Sequence, residues 1–150
     1  MIKYDISKAV IDDVDAIVQF QTAMAMETEG LALDKDVVRR AVSAVMEDES
    51  RGVYIVAKSC GNCIASLMVT REWSDWTNRW YWWVQSVYVV PEYRNKGVLK
   101  TVYSYVKELA KAEGVTKVRL YVDKDNLLAQ EAYERLGMAE CHYLMFEDKI

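Results

Sequence analysis

The segment Tyr93-Arg94-Asn95-Lys96-Gly97-Val98-Leu99-Lys100 combines three cations, a glycine and a run of backbone amides just ahead of an apolar-periodic stretch. Amides in the first turn of a helix lack helical acceptors, and the helix dipole puts partial positive charge at that end. A glycine lets backbone come close to a ligand. The chemistry this suits is the holding of an anion, a pyrophosphate above all. The plainer reading of the same residues is a charged loop that starts an ordinary helix.

Two other groups of residues could do chemistry. Cys60-Gly61-Asn62-Cys63 has CxxC spacing. A redox pair would open a helix, whereas Gly61-Asn62 separates the apolar runs Val53 to Ala57 and Ile64 to Val69, as a two-residue hairpin turn does. Zinc would need further ligands, and Cys141 and His142 are adjacent in a strand-like segment, where neighbouring side chains point to opposite faces. No metal is expected, and a redox or zinc protein stands only as a rival reading. The second group holds all five tryptophans, which fall between Trp73 and Trp83. Packing or a dimer contact accounts for most of them, with Trp80 and Trp82 on one strand face and Tyr81 and Trp83 on the other. In the sharper reading, Trp73, Trp76, Glu72 and Asp75, with Glu27 and Glu29 opposite, line a pocket for a cation. The plain alternative for Glu27 and Glu29 is a solvated helix end.

The elements that must position these residues can be read from periodicity and turn signals. Ile2 to Ile6 is predicted as a strand. Asp12 or Asp13 caps a helix bearing Val14, Ile17, Val18 and Met24 and ending near Gly30. Asp34 caps a second helix through Val45, before the acidic run Glu47 to Glu49. A hairpin follows from Gly52 to about Glu72, then a loop over Trp73 to Asn78, then a strand from Trp80 to Val90 stopped by Pro91. After Gly97, the residues Leu99, Val102, Tyr103, Val106, Leu109 and Ala110 mark a long amphipathic helix ending at Gly114. Val115 to Val122 is predicted as a strand, Asn126 to Leu136 as a capped helix stopped by Gly137, and Met138 to Glu147 as a last strand. The passage from Trp80 to Val122 needs a right-handed parallel crossover, and the loop at its first corner, Pro91 to Gly97, is where ligand phosphates usually sit.

Length and composition agree with a single domain over 1–150. The 150 residues suffice for one core, and 52% hydrophobic with 28% charged residues and one proline suits a compact globule. A net charge of -4 disfavours nonspecific attraction to nucleic acid or to anionic membrane while permitting a cationic small substrate. No apolar run approaches the roughly 20 residues that span a bilayer, and three cysteines fit a reduced compartment, so a cytoplasmic location is expected.

The stretch Val87-Tyr88-Val89-Val90-Pro91-Glu92-Tyr93-Arg94-Asn95-Lys96-Gly97 resembles the coenzyme A signature of the GNAT superfamily of N-acyltransferases: Arg or Gln, two residues, Gly, one residue, then Gly or Ala, directly after a strand ending in Pro. Leu99 departs from the pattern at its last position. Asn126, Ala129, Tyr133, Gly137 and Met138 resemble that family's second motif in order and distance. The resemblance implies an α/β (α+β) fold, with a mixed, mostly antiparallel sheet of six or seven strands flanked by four helices. It also implies acetyl-coenzyme A as acyl-donor cosubstrate, transfer to the primary amine of a small molecule or peptide, and a homodimer as one possible assembly.

Residue by residue, the resemblance places the pantetheine arm on the backbone of Val87, Tyr88 and Val89. It places the pyrophosphate on Arg94, Asn95, Lys96, Gly97, Val98, Leu99 and Lys100, with Asn126 as a further coenzyme contact. Tyr133 becomes the general acid that protonates the departing thiolate; a phenol of pKa about 10 can pass a proton to a thiolate of pKa about 8.5. The plain alternative is a tyrosine that fills the core. Some relatives carry a glutamate base on the fourth strand, where this chain has Trp83, with Gln85 nearby on the acceptor side. A lysine-like amine is neutral only about once in 2,500 molecules at pH 7, so its proton must leave through water to Glu27, Glu29, Glu72 or Asp75 unless the acceptor has a low pKa. The rival of another class is a non-catalytic sensor of acyl-coenzyme A.

Overall fold

The computed structural model describes residues 3–150. Among them are five strands, β1 (Asp5–Lys8), β2 (Val53–Ser59), β3 (Asn62–Ser74), β4 (Arg79–Val89) and β5 (Val118–Arg119), and four helices, α1 (Val14–Glu29), α2 (Lys35–Glu47), α3 (Val98–Ala112) and α4 (Leu127–Arg135). The sheet runs β1-β2-β3-β4-β5 in space. The first three pairings are antiparallel and the last is parallel.

α2 and α4 start on the side-chain caps the sequence signals, whereas α1 begins after Asp13 with no side-chain cap, because the Asp13 carboxylate turns back to accept from the Val10 amide at 2.8 Å and to pair with Lys58 at 2.8 Å. Asp34 accepts hydrogen bonds from the Asp36 and Val37 amides at the head of α2, and Asn126 accepts one from Ala129 at the head of α4. Gly30 ends α1 in the left-handed region, at φ 61°. One core lies between the sheet and α3: Val98, Val102, Val106 and Ala110 pack against Ile55, Leu67, Trp82 and Val84. Burying each such valine contributes about 1.5–3 kcal/mol, which pins α3, and with it the loop at its head, to the sheet. On the other face Val14, Ile17, Val18 and Val42 cover Tyr54 and Val56.

Several strand boundaries differ from the sequence reading. The first strand is Asp5–Lys8, which begins three residues and ends two residues later than expected, and Ile2 lies outside the described residues. The hairpin turn is Cys60-Gly61, because Ser59 pairs with Asn62 and the two turn residues hold φ of 50° and 82°. Paired positive φ is what a tight hairpin requires to follow strand twist. The expected loop over 73–78 shrinks to four residues, since the Trp73–Trp80 and Ser74–Arg79 pairs prolong β3 and β4. The expected strand over 115–122 pairs only at Val118 and Arg119, and 138–147 forms no strand, so the sheet has five strands where six or seven were expected. Alternating side chains mark a segment able to pair, but pairing needs a neighbour's free backbone within reach.

Candidate active site

The site begins with an irregularity in β4. Ser66 lies opposite Tyr88 and Met68 opposite Gln85, so Ser86 and Val87 together face the single residue Leu67; Ser86 sits at φ 54°. This bulge bends the strand and shifts its alternation. Before it, Trp82 and Val84 point into the α3 core; after it, Val87 and Val89 do, while Tyr88 turns to the other face against Phe20, with ring centroids 5.1 Å apart.

β5 follows β4 only briefly. Its ladder joins Trp82 to Val118 and Trp83 to Arg119, with the Trp82 amide bonded to the Lys117 carbonyl at 2.9 Å. Toward Val89 the two strands part. The Val90 amide bonds back to Ile64 in β3 at 2.9 Å, so by antiparallel alternation Val87 and Val89 direct their amides and carbonyls into the gap. That gap is a sheet edge open to an extended ligand.

The mouth of the gap is the 91–97 loop. Pro91–Tyr93 makes one 3-10 turn, Asn95 stands at φ 60° and Gly97 at φ 79°, and α3 begins at Val98. Thr101 makes the first helical bond, from its amide to the Gly97 carbonyl at 3.1 Å. The Val98, Leu99 and Lys100 amides therefore precede the helical ladder and carry its positive dipole end. Val98 is buried and anchors the turn, whereas Asn95, Lys96, Gly97 and Lys100 are exposed and Leu99 is half-buried. A Cβ on Gly97 would meet nothing within 4 Å, so this glycine is required for its left-handed backbone and leaves open space above it.

Arg94 points away from the helix axis. Its Nε donates to the Val89 carbonyl at 2.8 Å, its Nη2 pairs with Glu27 Oε2 at 2.8 Å, and its guanidinium lies over the Tyr88 ring at 5.4 Å. The Tyr88 hydroxyl donates to Glu27 Oε1 at 3.3 Å. Burial, and after it the Glu27 charge, pushes the Tyr88 phenol up from its ordinary pKa. Glu27 is thus tied to the donor loop, while Glu29 is the exposed last residue of α1.

Where the β4–β5 pairing ends, three strands contribute to one cluster. Glu72 of β3 accepts from the Trp83 indole Nε1 at 2.9 Å and from Arg119 Nη1 at 3.1 Å. Arg119 also stacks over Tyr81 at 4.9 Å and Tyr143 at 5.6 Å. Gln85, two residues along the same face, donates to the Thr70 hydroxyl at 2.8 Å. The remaining expected acceptor residues lie elsewhere. Trp73 packs edge-on against Trp80 at 4.9 Å, Asp75 is in the turn, and Trp76 is 89% exposed. Arg79 Nη1 donates to the Gly114 carbonyl at 3.3 Å, which ties this hairpin tip to the C-terminal end of α3, about 22 Å of helix from the loop at its start. The structure brings Glu72, Trp83 and Gln85 to the end of the gap and leaves Trp73, Asp75 and Trp76 outside it.

Tyr133 is half-buried on α4, and burial alone pushes its phenol above the ordinary pKa, so it stays protonated at neutral pH. Arg119 escaped the sequence reading; the signal available was the alternation of Lys117 and Arg119, which puts two cations on one strand face.

A mixed sheet that parts between two parallel strands, with helix-start amides at the mouth of the gap, is the architecture of an acyltransferase domain. The chain belongs to the acetyltransferase (GNAT) family, whose model matches residues 19–138. It is 42% identical to a possible acetyltransferase from Clostridium difficile 630, a solved structure matched at a TM-score of 0.91 over 98% of this chain and 97% of that one. The fold is shared with a predicted acetyltransferase with acetyl-CoA from Clostridium acetobutylicum (16% identity, TM-score 0.79, 97% and 96% covered). It is shared equally with an aminoglycoside acetyltransferase from an uncultured soil metagenomic sample in complex with sisomicin (12% identity, TM-score 0.79, 98% and 96% covered). No curated protein matches the chain. Among the described residues no helix is long and apolar enough to cross a membrane, and no group of three or more His, Cys, Asp or Glu side chains is placed to hold a metal ion.

Proposed function

We propose that this protein transfers the acetyl group of acetyl-coenzyme A to a primary amine of a small molecule or peptide by direct attack. The observation that carries the reading is the parting of β4 from β5 beyond Trp83, which leaves Val87 and the Val89 amide as an open backbone edge, with the Val89 carbonyl held by Arg94, leading to the amides at the head of α3. An extended pantetheine arm suits the edge, and a pyrophosphate suits the amides with Lys96 and Lys100 nearby. An amide of the edge near Val87 then faces the thioester carbonyl, where a fixed donor favours the charge that develops on oxygen.

Tyr133 donates the proton that the departing thiolate takes up. Its burial keeps that proton in place at neutral pH and raises the cost of ionising it, so the transfer is matched to a thiolate only in direct hydrogen-bond contact. The amine approaches from the end of the gap where Glu72 sits. This carboxylate accepts from Trp83 and Arg119, which fix its position, and its remaining lone pairs can accept from an ammonium.

The test is an amine panel with acetyl-coenzyme A and detection of free thiol. Amine-dependent thiol release is the expected result; acetyl-coenzyme A binding without release across the panel would replace the enzyme by a sensor.

A further inference from the structure

Glu72, Trp83 and Arg119 stand on three neighbouring strands and share one sheet face. Glu72 lies opposite Tyr81, Thr70 opposite Trp83, and Trp83 is in register with Arg119. Because Trp82 points into the α3 core, alternation sends these side chains to the other face. Each oxygen of the Glu72 carboxylate accepts once, from Trp83 Nε1 at 2.9 Å and from Arg119 Nη1 at 3.1 Å, and each keeps a second lone pair. The Glu72 side chain is 40% exposed, so those lone pairs are within reach of a ligand.

Arg119 is the less exposed partner, yet most of its hydrogen-bonding capacity is unused. Its guanidinium lies over Tyr81 at 4.9 Å and Tyr143 at 5.6 Å, and rings against its faces leave open the edge where its N–H donors lie. Among the described residues Nη1 has a protein acceptor, whereas Nε and Nη2 have none and are not closed off from solvent. A second cation joins the cluster, since Lys117 Nζ also lies over Tyr81 at 4.9 Å. Two cations against the one Glu72 carboxylate leave a positive excess. An acceptor with several ammonium groups would meet like charge beside Glu72, whereas one that carries a carboxylate next to its amine finds both opposite charges in place.

We propose, on the basis of the acetyltransferase reading above, that the acceptor is a free α-amino acid, with its ammonium on Glu72 and its carboxylate on Arg119. An α-amino acid carries both charges on one carbon, so their partners must be neighbours, and Glu72 Oε2 and Arg119 Nη1 are 3.1 Å apart. The guanidinium can offer a carboxylate two parallel N–H donors, which a lysine cannot. In transfer the ammonium first gives one proton to water. The nitrogen lone pair then forms the C–N bond, the C–S bond breaks with its electron pair on sulfur, and sulfur takes a proton from Tyr133; the second proton shed by nitrogen replaces, through water, the one Tyr133 gave. The N-acetylated product keeps its carboxylate but has no cation for Glu72, which favours its release.

The test measures thiol release from acetyl-coenzyme A with the common L-amino acids, each beside its α-amide, which stands for a peptide N-terminus, and its decarboxylated amine. At least one amino acid should react with a kcat/KM about 100-fold or more above both of its analogues, and tandem mass spectrometry should place the acetyl group on its α-nitrogen. Arg119→Met, which keeps an apolar stem, should shrink that ratio to below about fivefold, and Arg119→Lys, with the charge but no fork, should fall between. Analogues that react as well as the amino acids would overturn the proposal and leave the acetyltransferase reading in place. So would acetylation of a side-chain amine, or a ratio that Arg119→Met does not move in a variant shown to be folded by circular dichroism. No thiol release with any amine would overturn both. The wild-type ratio depends on no variant's folding, so it decides the proposal even if Arg119 proves indispensable to the sheet.

Discussion

Glu27 and Arg94 stand 67 residues apart in the chain and 2.8 Å apart in space. The pair joins the end of α1, on the side from which an acceptor would come, to the loop that would hold the donor's phosphates. Because Arg94 also grips the Val89 carbonyl, one guanidinium couples the β4 edge, the loop and α1. Entry of a ligand along β4 must either leave the Val89 carbonyl to Arg94 or displace that contact.

Glu27→Gln should therefore act on the donor and not on the acceptor. Both partners are about two-fifths exposed, so the bridge contributes only about 0.5–1 kcal/mol, and acetyl-coenzyme A affinity should fall about two- to fivefold with the amine KM unchanged. The reverse pattern in titration and steady-state kinetics would return Glu27 to the acceptor site.

Gly97→Ala should lower stability by about 1–2 kcal/mol, because φ 79° is strained for any side chain while the space around it is open. The companion substitution Lys96→Glu, at an exposed position, should leave the melting temperature near its original value and weaken acetyl-coenzyme A binding about tenfold or more at low salt, less at high salt. Unaltered affinity in Lys96→Glu would remove the loop from the donor site.

Tyr133→Phe should reduce turnover by about 10²-fold or more while leaving acetyl-coenzyme A affinity within a factor of two. Burial raises this phenol's pKa, so its proton is held to higher pH than a free tyrosine holds it, and the alkaline loss of activity from its ionisation should come later than for an unperturbed phenol. The same sign governs stability: the folded state holds the proton more tightly than the unfolded chain, so stability tied to this group is complete below the ordinary tyrosine pKa and declines as pH rises through the folded one. Unchanged turnover would leave Tyr133 as a packing residue.

Cys63 should be the least reactive of the three thiols. Burial pushes it up to about 11 from 9.0, whereas Cys60 and Cys141 are exposed. Two pKa units lower its thiolate fraction about 100-fold, so alkylation at pH 8 followed by mass spectrometry should label Cys60 and Cys141 well before Cys63. Equal labelling would contradict the burial of this side chain at the start of β3.

Much of this architecture is legible in the chain itself, and the reason is local chemistry. Asp34 and Asn126 cap α2 and α4 as their side chains require, Gly30 and Gly137 take the left-handed backbone that follows α1 and α4, and Pro91 and Gly97 bracket the loop. What could not be read depends on neighbours distant in sequence. The bulge at Ser86 exists only in relation to Leu67 across the ladder, and β5 is short because β4 turns away from it. The acceptor side divides for the same reason. Glu72 and Trp73 are adjacent in the chain, yet alternation along β3 sends Glu72 to Trp83 and Arg119 while Trp73 packs on Trp80. The role of Arg94 was hidden because a cation in a phosphate-loop pattern suggests an anion ahead of it, not a carboxylate on α1.

Isothermal titration of the purified protein with acetyl-coenzyme A and with coenzyme A tests the central claim most directly. Saturable binding of both at one site per chain, weakened by Lys96→Glu, is the expected result. No detectable heat with either nucleotide, from a protein shown to be folded by its circular dichroism, would contradict the account.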